Sequence, residues 1–466
     1  MPSVQGFAPS PRELARSVLR RVEQGEAYSG LALASALDKS KLPPADRALA
    51  TEIVYGVLRH RLRLDRALSA HAPRGLGKLS TPVMVALRVA AYQILFLRTP
   101  AHAAVDDAVR AVKALAGGHV GNFANALLRR LATEGEPPQP STSDLFAYLE
   151  AVHSMPRWLT ERLIRAVGAS EAIAAAEAMN RPPPMALRVS LDRASREELM
   201  RRIRDERPEA EVEPSRFLPE GLLLRGAGAP EMLAAWKEQL FTVQDVAAQL
   251  VSRLVGIQPG ERVLDACAGV GGKTTHLAQL ALAAGGQAEV DAADVSVRKL
   301  DLAMDTVRRL GLEGIRIVPC DLTCAPAGAL ADQYDRVLLD APCSGLGVLR
   351  RHPEGKWRRR PREIMALADL QRRLLEALAP RVKPGGVLVY SVCTLAEEEG
   401  SQQIDRFLAA HPEFSRTPPP AQPGVDFTPF LSAEGDFRSW PHLHDTDAFF
   451  AARLSRGRDP RTEPAP

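Results

Sequence analysis

Cysteine is scarce in this chain of 466 residues: there are five, at 267, 320, 324, 343 and 393. Odd in number, confined to the C-terminal half and without paired spacing, they do not make a disulfide framework. That usage suits a reducing compartment, and the chain is expected in the cytoplasm. Only Cys320 and Cys324 lie close together, and a CxxxC lacks two ligands of a structural zinc site, so no metal is expected. Long apolar runs are also missing. The best, Val83 to Leu97, is broken by Arg88 and Gln93, short of the ~18 apolar residues that a membrane helix needs. The N-terminus has no apolar stretch of signal-peptide type. Charge of one sign is absent too: 60 basic against 56 acidic residues leave +4, too little to argue for any partner. With 45% hydrophobic and 25% charged residues, disordered and collagen-like classes are excluded for the bulk of the chain.

What is present is organised into about three domains. Residues 1–133 read as all helix. Leu14, Val18, Leu19 and Val22 share one face of a first helix that begins at Pro11. Thr81 and Pro82 form an N-cap and first-turn proline for a helix with Val83, Leu87, Ala90, Ala91, Ile94 and Leu97 in one stripe. Asp46–Leu62, Ala101–Ala116 and Asn122–Ala132 complete a helical bundle. Residues 134–144 have linker composition. Residues 145–238 form a small α+β module, with a helix over Pro156–Met179 and strands at Ala186–Ser190 and Gly221–Leu224. From 239 to 456 strands and helices alternate, with strands at 262–265, 288–294, 315–319, 336–340 and 386–391. Alternation of this kind predicts right-handed crossovers and a doubly wound parallel α/β sheet, Rossmann-like, covered on both faces. Residues 457–466, rich in Arg, Pro and Glu, are expected to be a disordered tail.

The first strand of that domain runs into Cys267-Ala268-Gly269-Val270-Gly271-Gly272-Lys273-Thr274. Three ligands compete for such a loop. A phosphate-binding GxxxxGK[ST] loop is matched at its end, but the required first glycine is Cys267. A dinucleotide GxGxxG is matched at Gly269 and Gly271, but its last glycine is Thr274. An S-adenosylmethionine loop needs an acid at the strand end and a glycine turn, and Asp265 supplies the acid. Asp294 follows Gly271 by 23 residues, placed for ribose hydroxyls. Asp321 and Asp340 end the next two strands. Asp at strand ends is common turn chemistry. An ordered set of four, however, suits a cationic sulfonium and would repel ATP phosphates. S-adenosylmethionine is therefore the expected cofactor, with an ATPase as the competing enzyme reading.

Two cysteines sit in turns that end successive strands, Asp340-Ala-Pro-Cys343 and Tyr390-Ser-Val-Cys393. Either alone is more often an inert core residue. Together, at the carboxyl ends of neighbouring strands where ligands bind, they suit covalent catalysis on a pyrimidine. A thiolate adding to C6 of cytosine makes C5 nucleophilic toward a methyl donor. Lys273 or backbone amides are available to depress the thiol pKa. These residues do not say which thiol attacks. Arg350, Arg351, Lys356, Arg358, Arg359, Arg360 and Arg362 follow the first turn, interleaved with His352 and Trp357. Such a loop reads as an RNA phosphate contact, against the plain alternative of a solvated connection. Arg59, Arg61, Arg63 and Arg66 form a second basic cluster, for which a solvated helix face weighs equally.

These segments carry a resemblance. FTVQD (241–245), the glycine loop, ADVSVRKL (293–300), DAPCSGLGVLRRHPEGKW (340–357), VKPGGVLVYSVCTLAEEE (382–399) and DAFFAARL (447–454) resemble the RsmB (Sun/Fmu) family. Its members are 16S rRNA cytosine-C5 methyltransferases of the Nop/Sun group. DRALATEIVYGVLRHRLRLD (46–65) and LRVAAYQILFLRTPAHAAVDDAV (87–109) resemble the NusB-like RNA-binding domain that this family carries. The resemblance implies a methyltransferase acting on cytosine 967 of small-subunit rRNA, and we expect a monomer. It implies Cys393 as nucleophile, and Cys343 as the residue that assists proton loss and enzyme release. It places S-adenosylmethionine against residues 267–273, Asp294, Asp321 and Asp340. Another rRNA or tRNA cytosine, or a non-catalytic RNA-binding assembly role, are the alternatives. Two motifs depart from the family pattern. CAAPGGK is here Cys-Ala-Gly-Val-Gly-Gly-Lys, which loosens the turn, and Val392 stands where Thr usually precedes the nucleophile.

Overall fold

The computed structural model describes residues 10–73, 75–325 and 328–457. Contacts divide the chain into two compact units. One comprises residues up to Arg181 together with Leu349–Arg359; the other comprises Pro182–Val348 and the chain from Arg360 onward.

The first unit is helical. Its helices are Pro11–Glu23, Ser29–Lys39, Pro44–Arg59, Arg61–Ala70, Thr81–Phe96, Ala101–Glu134, Leu145–His153, Arg157–Val167 and Ala172–Asn180. Ser10 caps the first by accepting the Glu13 N–H, and the face predicted for it, Leu14, Val18, Leu19 and Val22, is buried. The cap expected at Thr81 falls instead on Ser80, whose backbone is extended while Thr81 is already helical. Gly117, at φ 82°, breaks the long helix where two were expected. His60 ends the Pro44–Arg59 helix earlier than expected, and Gly168, at φ 81°, ends Arg157–Val167. Arg88, which interrupts the apolar run, is buried between Glu23 (2.6 Å) and Asp65 (2.7 Å). Two acids on two other helices thus satisfy one guanidinium, and the charge is tolerated in the bundle core.

Beyond Glu134 the chain stays bound to the bundle. Arg63 forks onto Glu136 (2.7 and 2.6 Å), and Arg66 donates to the carbonyls of Pro137 and Pro138, so the segment is strapped to the bundle. Of residues 145–238, the helices Leu145–His153, Arg157–Val167 and Ala172–Asn180 lie in the first unit, and the strands lie in the second together with the helices Arg196–Glu206 and Ala234–Lys237. Asn180 closes the helical part by donating to the His153 carbonyl (2.7 Å).

The segment Leu349–Arg359 corrects the expected RNA loop. Lys356 is buried, and its Nζ donates to the Arg59 carbonyl (3.2 Å), the His153 carbonyl (3.1 Å) and Asn180 Oδ1 (2.6 Å). Glu354 accepts the backbone N–H and hydroxyl of Ser29 (3.1 and 2.8 Å). Trp357 donates to the Leu58 carbonyl (2.7 Å), and Arg358 to that of Ala27. Arg350 is buried, and its carbonyl accepts from Arg59 (3.0 Å). Lys356 and Glu354 thus satisfy the ends of helices within this unit.

The second unit holds two sheets. Strands β1 (Met185–Val189), β2 (Glu211–Pro214), β3 (Gly221–Arg225) and β4 (Phe241–Val243) form an antiparallel sheet in the order β2-β3-β1-β4. The larger sheet contains β5 (Arg262–Ala266), β6 (Glu289–Asp294), β7 (Ile315–Pro319), β8 (Tyr334–Asp340), β9 (Val382–Val392), β10 (Phe414–Arg416), β11 (Phe437–Ser439) and β12 (Phe449–Arg456). Its order is β10-β12-β9-β8-β5-β6-β7, with β11 also on β12. The five strands from β9 to β7 are parallel, as expected. β12 returns antiparallel to β9, and β10 and β11 pair antiparallel to β12. The sheet is therefore mixed. Successive residues alternate between two buried faces: Val337, Leu339, Leu388 and Tyr390 pack with Leu374 and Leu378, whereas Leu338 and Val389 pack with Leu250 and Leu277. Covering both faces leaves the carboxyl ends of the parallel strands as the place for a ligand. The tail expected from 457 lies outside the described residues, apart from Gly457.

Lys356→Ala is expected to lower stability by about 3 kcal/mol, because it leaves buried acceptors unpaired. Denaturant unfolding measures this. The slope of RNA affinity against salt is expected to stay unchanged; a shallower slope at unchanged stability would mark Lys356 as a phosphate contact.

Candidate active site

The glycine loop follows β5 and opens the helix Gly272–Ala283. Cys267, Gly269 and Gly271 all have positive φ (63°, 58° and 77°), and the left-handed region is costly for the cysteine. A Cβ on Gly271 would stand 2.8 Å from that of Ala303, so both conformation and space require glycine there. The Ala268 N–H donates to the Ala293 carbonyl (2.8 Å), tying the loop to the end of β6. Val270, one of the two departures from the family loop, is exposed.

The four acids lie at the ends of β8, β5, β6 and β7, which are neighbours in that order. Asp294 accepts the Gly269 N–H (2.9 Å) and the Ser296 N–H (2.8 Å), clasping two loops. Asp340 accepts from Lys273 Nζ (2.5 Å) and Ser391 (2.7 Å). Asp321 is exposed and accepts the N–H and hydroxyl of Thr323 (2.9 and 2.7 Å); these bonds hold its carboxyl below the usual range. Asp265 is buried with Thr274 as donor (2.6 Å), while its Oδ1 has no partner. Burial, joined by the charges of Asp340 and Asp294, pushes Asp265 up to about 7. Lys273 is buried as well. Against the pull of burial, Asp340 holds its ammonium above the usual value, and Cys393 and Asp265 add to that. A glycine turn whose left-handed Gly269 and Gly271 shape the loop, an unpartnered buried carboxylate oxygen and a fringe of acids fit a cationic, phosphate-free ligand.

The two thiols meet beside this loop. β8 and β9 pair in parallel with Asp340 opposite Ser391, and the turns that follow bring Cys343 Sγ to 3.4 Å from Cys393 Sγ. The Cys393 carbonyl accepts the Gly347 N–H (2.9 Å). A Cβ on Gly347 would lie 1.9 Å from the Ala448 carbonyl oxygen, so only glycine lets the chain pass this close. The hydrogen bond to Cys393, aided by burial, raises the Cys343 thiol well above its usual value. Burial raises Cys267 also.

Residues that sequence reasoning overlooked hold these parts in place. Arg188, fully buried on β1, donates to the Gly272 carbonyl (2.7 Å), Thr275 (2.9 Å) and Gln244 (2.5 Å), fixing the start of the loop's helix. Glu399, Ser344, Thr394 and Gln371 form a buried network behind the cysteines. The only sequence trace of Arg188 is a charge inside an apolar strand. Of the expected RNA contacts, Arg350 and Lys356 are buried, Arg358 is bonded to carbonyls, Arg351 and Arg359 are half-buried, and Arg360 is exposed at the start of helix Pro361–Leu378.

Comparison with known proteins covers the whole chain. Residues 253–455 match the family model for 16S rRNA methyltransferase RsmB/F, residues 9–133 the NusB family, and residues 155–230 the ferredoxin-like domain of RsmF/B-like methyltransferases. A probable ribosomal RNA small subunit methyltransferase B from Synechocystis is 36% identical over 96% of this chain and 99% of its own length. The ribosomal RNA small subunit methyltransferase B of Klebsiella pneumoniae is 34% identical, covering 96% and 97%. Among solved structures, PH0851 superposes with a TM-score of 0.79 at 29% identity, covering 97% of this chain and all of its own.

Asp265 yields a pH prediction. Its folded pKa is raised, so the stability it contributes below about pH 4 is lost as pH rises through about 7. Asp265→Asn keeps an acceptor for Thr274 and removes the ionisation, so the variant gains on the native protein between pH 5 and 8, by at most about 4 kcal/mol. Urea unfolding at the two pH values checks this, and a difference that does not change with pH contradicts it. Full-length similarity at this level, with all three domains in order, makes the chain a member of the RsmB/F family of 16S rRNA methyltransferases, which take their methyl group from S-adenosylmethionine.

Proposed function

We propose that this enzyme methylates C5 of a cytosine in 16S rRNA, cytosine 967 by family resemblance, through a transient bond to Cys393. The observation that carries the reading is the 3.4 Å separation of two thiols at the ends of neighbouring parallel strands. A pocket with one nucleophilic sulfur and a second group beside it matches what cytosine C5 requires. The intact ring is too electron-poor at C5 to accept a methyl group. Addition of the Cys393 thiolate to C6 converts C5 into an enamine carbon, splitting one hard step into easier ones.

Bound against residues 267–273, Asp294, Asp321 and Asp340, S-adenosylmethionine supplies an electrophilic methyl group. The residues of this chain do the rest. Lys273, bonded to Asp340 (2.5 Å), brings a positive charge to the strand ends that carry Cys393. Cys343, its sulfur 3.4 Å from that of Cys393, stands beside the attacking sulfur and assists the end of the cycle. There a water takes the C5 proton, the C5–H electron pair forms the C5=C6 double bond, and the C6–S bond breaks with its electron pair going to the Cys393 sulfur. The acid fringe disfavours the ATPase alternative, since it would meet phosphates with like charge. Arg360 and Arg362, both exposed, are proposed as phosphate contacts in place of the buried Arg350 and Lys356. A paired target base would have to be flipped out of its stem.

Cys393→Ala is expected to abolish methyl transfer to 16S rRNA, scored by bisulfite sequencing. Cys343→Ala is expected to accumulate a protein–RNA adduct that survives denaturing gels. An adduct in Cys393→Ala with none in Cys343→Ala inverts the two roles.

A further inference from the structure

Behind the two thiols lies a carboxylate that no step so far uses. Glu399 is fully buried, and among the described contacts no cation is bonded to it. Its Oε1 accepts the Ser344 N–H (2.8 Å) and Gln371 Nε2 (3.2 Å). Its Oε2 accepts the hydroxyls of Ser344 (2.5 Å) and Thr394 (2.9 Å). Ser344 directly follows Cys343, and Thr394 directly follows Cys393. The two hydroxyls also meet each other at 2.8 Å. Gln371 binds the Pro342 carbonyl (2.9 Å), one residue before Cys343. On the other side, Tyr390, three residues before Cys393, donates to the Glu399 backbone carbonyl (2.6 Å). A single side chain therefore bridges both cysteine turns.

We propose that Glu399 is a positioning residue that sets the spacing of Cys343 and Cys393. Backbone pairing of β8 with β9 stops at Asp340 and Ser391, so the two turns beyond would otherwise be linked mainly through the thiols themselves and the Gly347 contact. Burying a carboxylate is costly unless its oxygens are satisfied. Four hydrogen bonds satisfy this one, and each of them ends on a cysteine turn or on the glutamine that braces one. The proposal rests on the two-thiol reading above and adds the element that makes the pair a rigid unit.

The test compares Glu399→Ala and Glu399→Gln in methyl transfer to 16S rRNA, beside the native enzyme. Glutamine can accept the Ser344 N–H through its oxygen and donate to both hydroxyls, so the bridge survives. The alanine variant is expected to lose about 100-fold in kcat, the scale of a 1 Å misplacement, with KM for RNA and for S-adenosylmethionine within about twofold of native. The glutamine variant is expected to recover most of the loss. An alanine variant with native kcat overturns the proposal, as does a glutamine variant no better than alanine, which would mark a role for the charge itself. Should Glu399→Ala fail to fold, Ser344→Ala with Thr394→Val removes the two hydroxyl arms, and native kcat in that pair overturns it equally. Native enzyme that methylates no cytosine C5 sinks the two-thiol reading instead, so the two failures are distinguishable.

Discussion

The parallel pairing of β8 with β9 is the constraint on which the site depends. Two strands in register deliver their carboxyl ends to the same level, and whatever the following turns carry must then meet. Here the turns carry Cys343 and Cys393. The rest of the larger sheet extends this logic: β5, β6 and β7 continue outward from β8, each ending in or beside an acid. One end of this row thus holds the two sulfurs, and its continuation holds the acids proposed to face a cation. Helices on both faces close every other approach, leaving that edge as the open side of the sheet.

Rigidity at this edge comes from buried polar groups rather than from apolar packing alone. Arg188 pins the helix that the glycine loop opens, Asp294 clasps the loop from β6, and Glu399 spans the cysteine turns. In the helical unit Lys356 and Arg88 play comparable parts. Buried charges of this kind are seldom the cheapest way to stabilise a fold. Their advantage is directional: a guanidinium or carboxylate with all its partners made accepts one arrangement, whereas an apolar contact accepts several.

Much of this was legible in the chain itself, and the reason is periodicity. Strands buried on both faces read as short apolar runs between helical stretches, which is why β5 to β9 and their order of appearance could be foreseen. The glycine loop and the cysteine turns stood at strand ends, where the fold class puts ligands. β12 escaped because an antiparallel return carries no helix to announce it. Ser29–Lys39 and Arg61–Ala70 escaped because Gly and Ser dilute one and three arginines punctuate the other. Lys356, in the basic segment after Cys343, was misread for a different reason. Charge counts do not distinguish a lysine facing solvent from one enclosed by carbonyls, and Lys356 is the latter. Glu399 was hidden in a run of three glutamates that looks like surface.

The claim at the heart of this account is that a particular sulfur bonds to the pyrimidine. RNA carrying 5-fluorocytidine at the target, incubated with enzyme and S-adenosylmethionine, has no C5 proton to lose, so the covalent state persists and can be digested and sequenced by mass spectrometry. The account predicts a modified nucleotide on the peptide that contains Cys393. Attachment to the peptide containing Cys343, or no attachment by enzyme that methylates unmodified RNA, contradicts it.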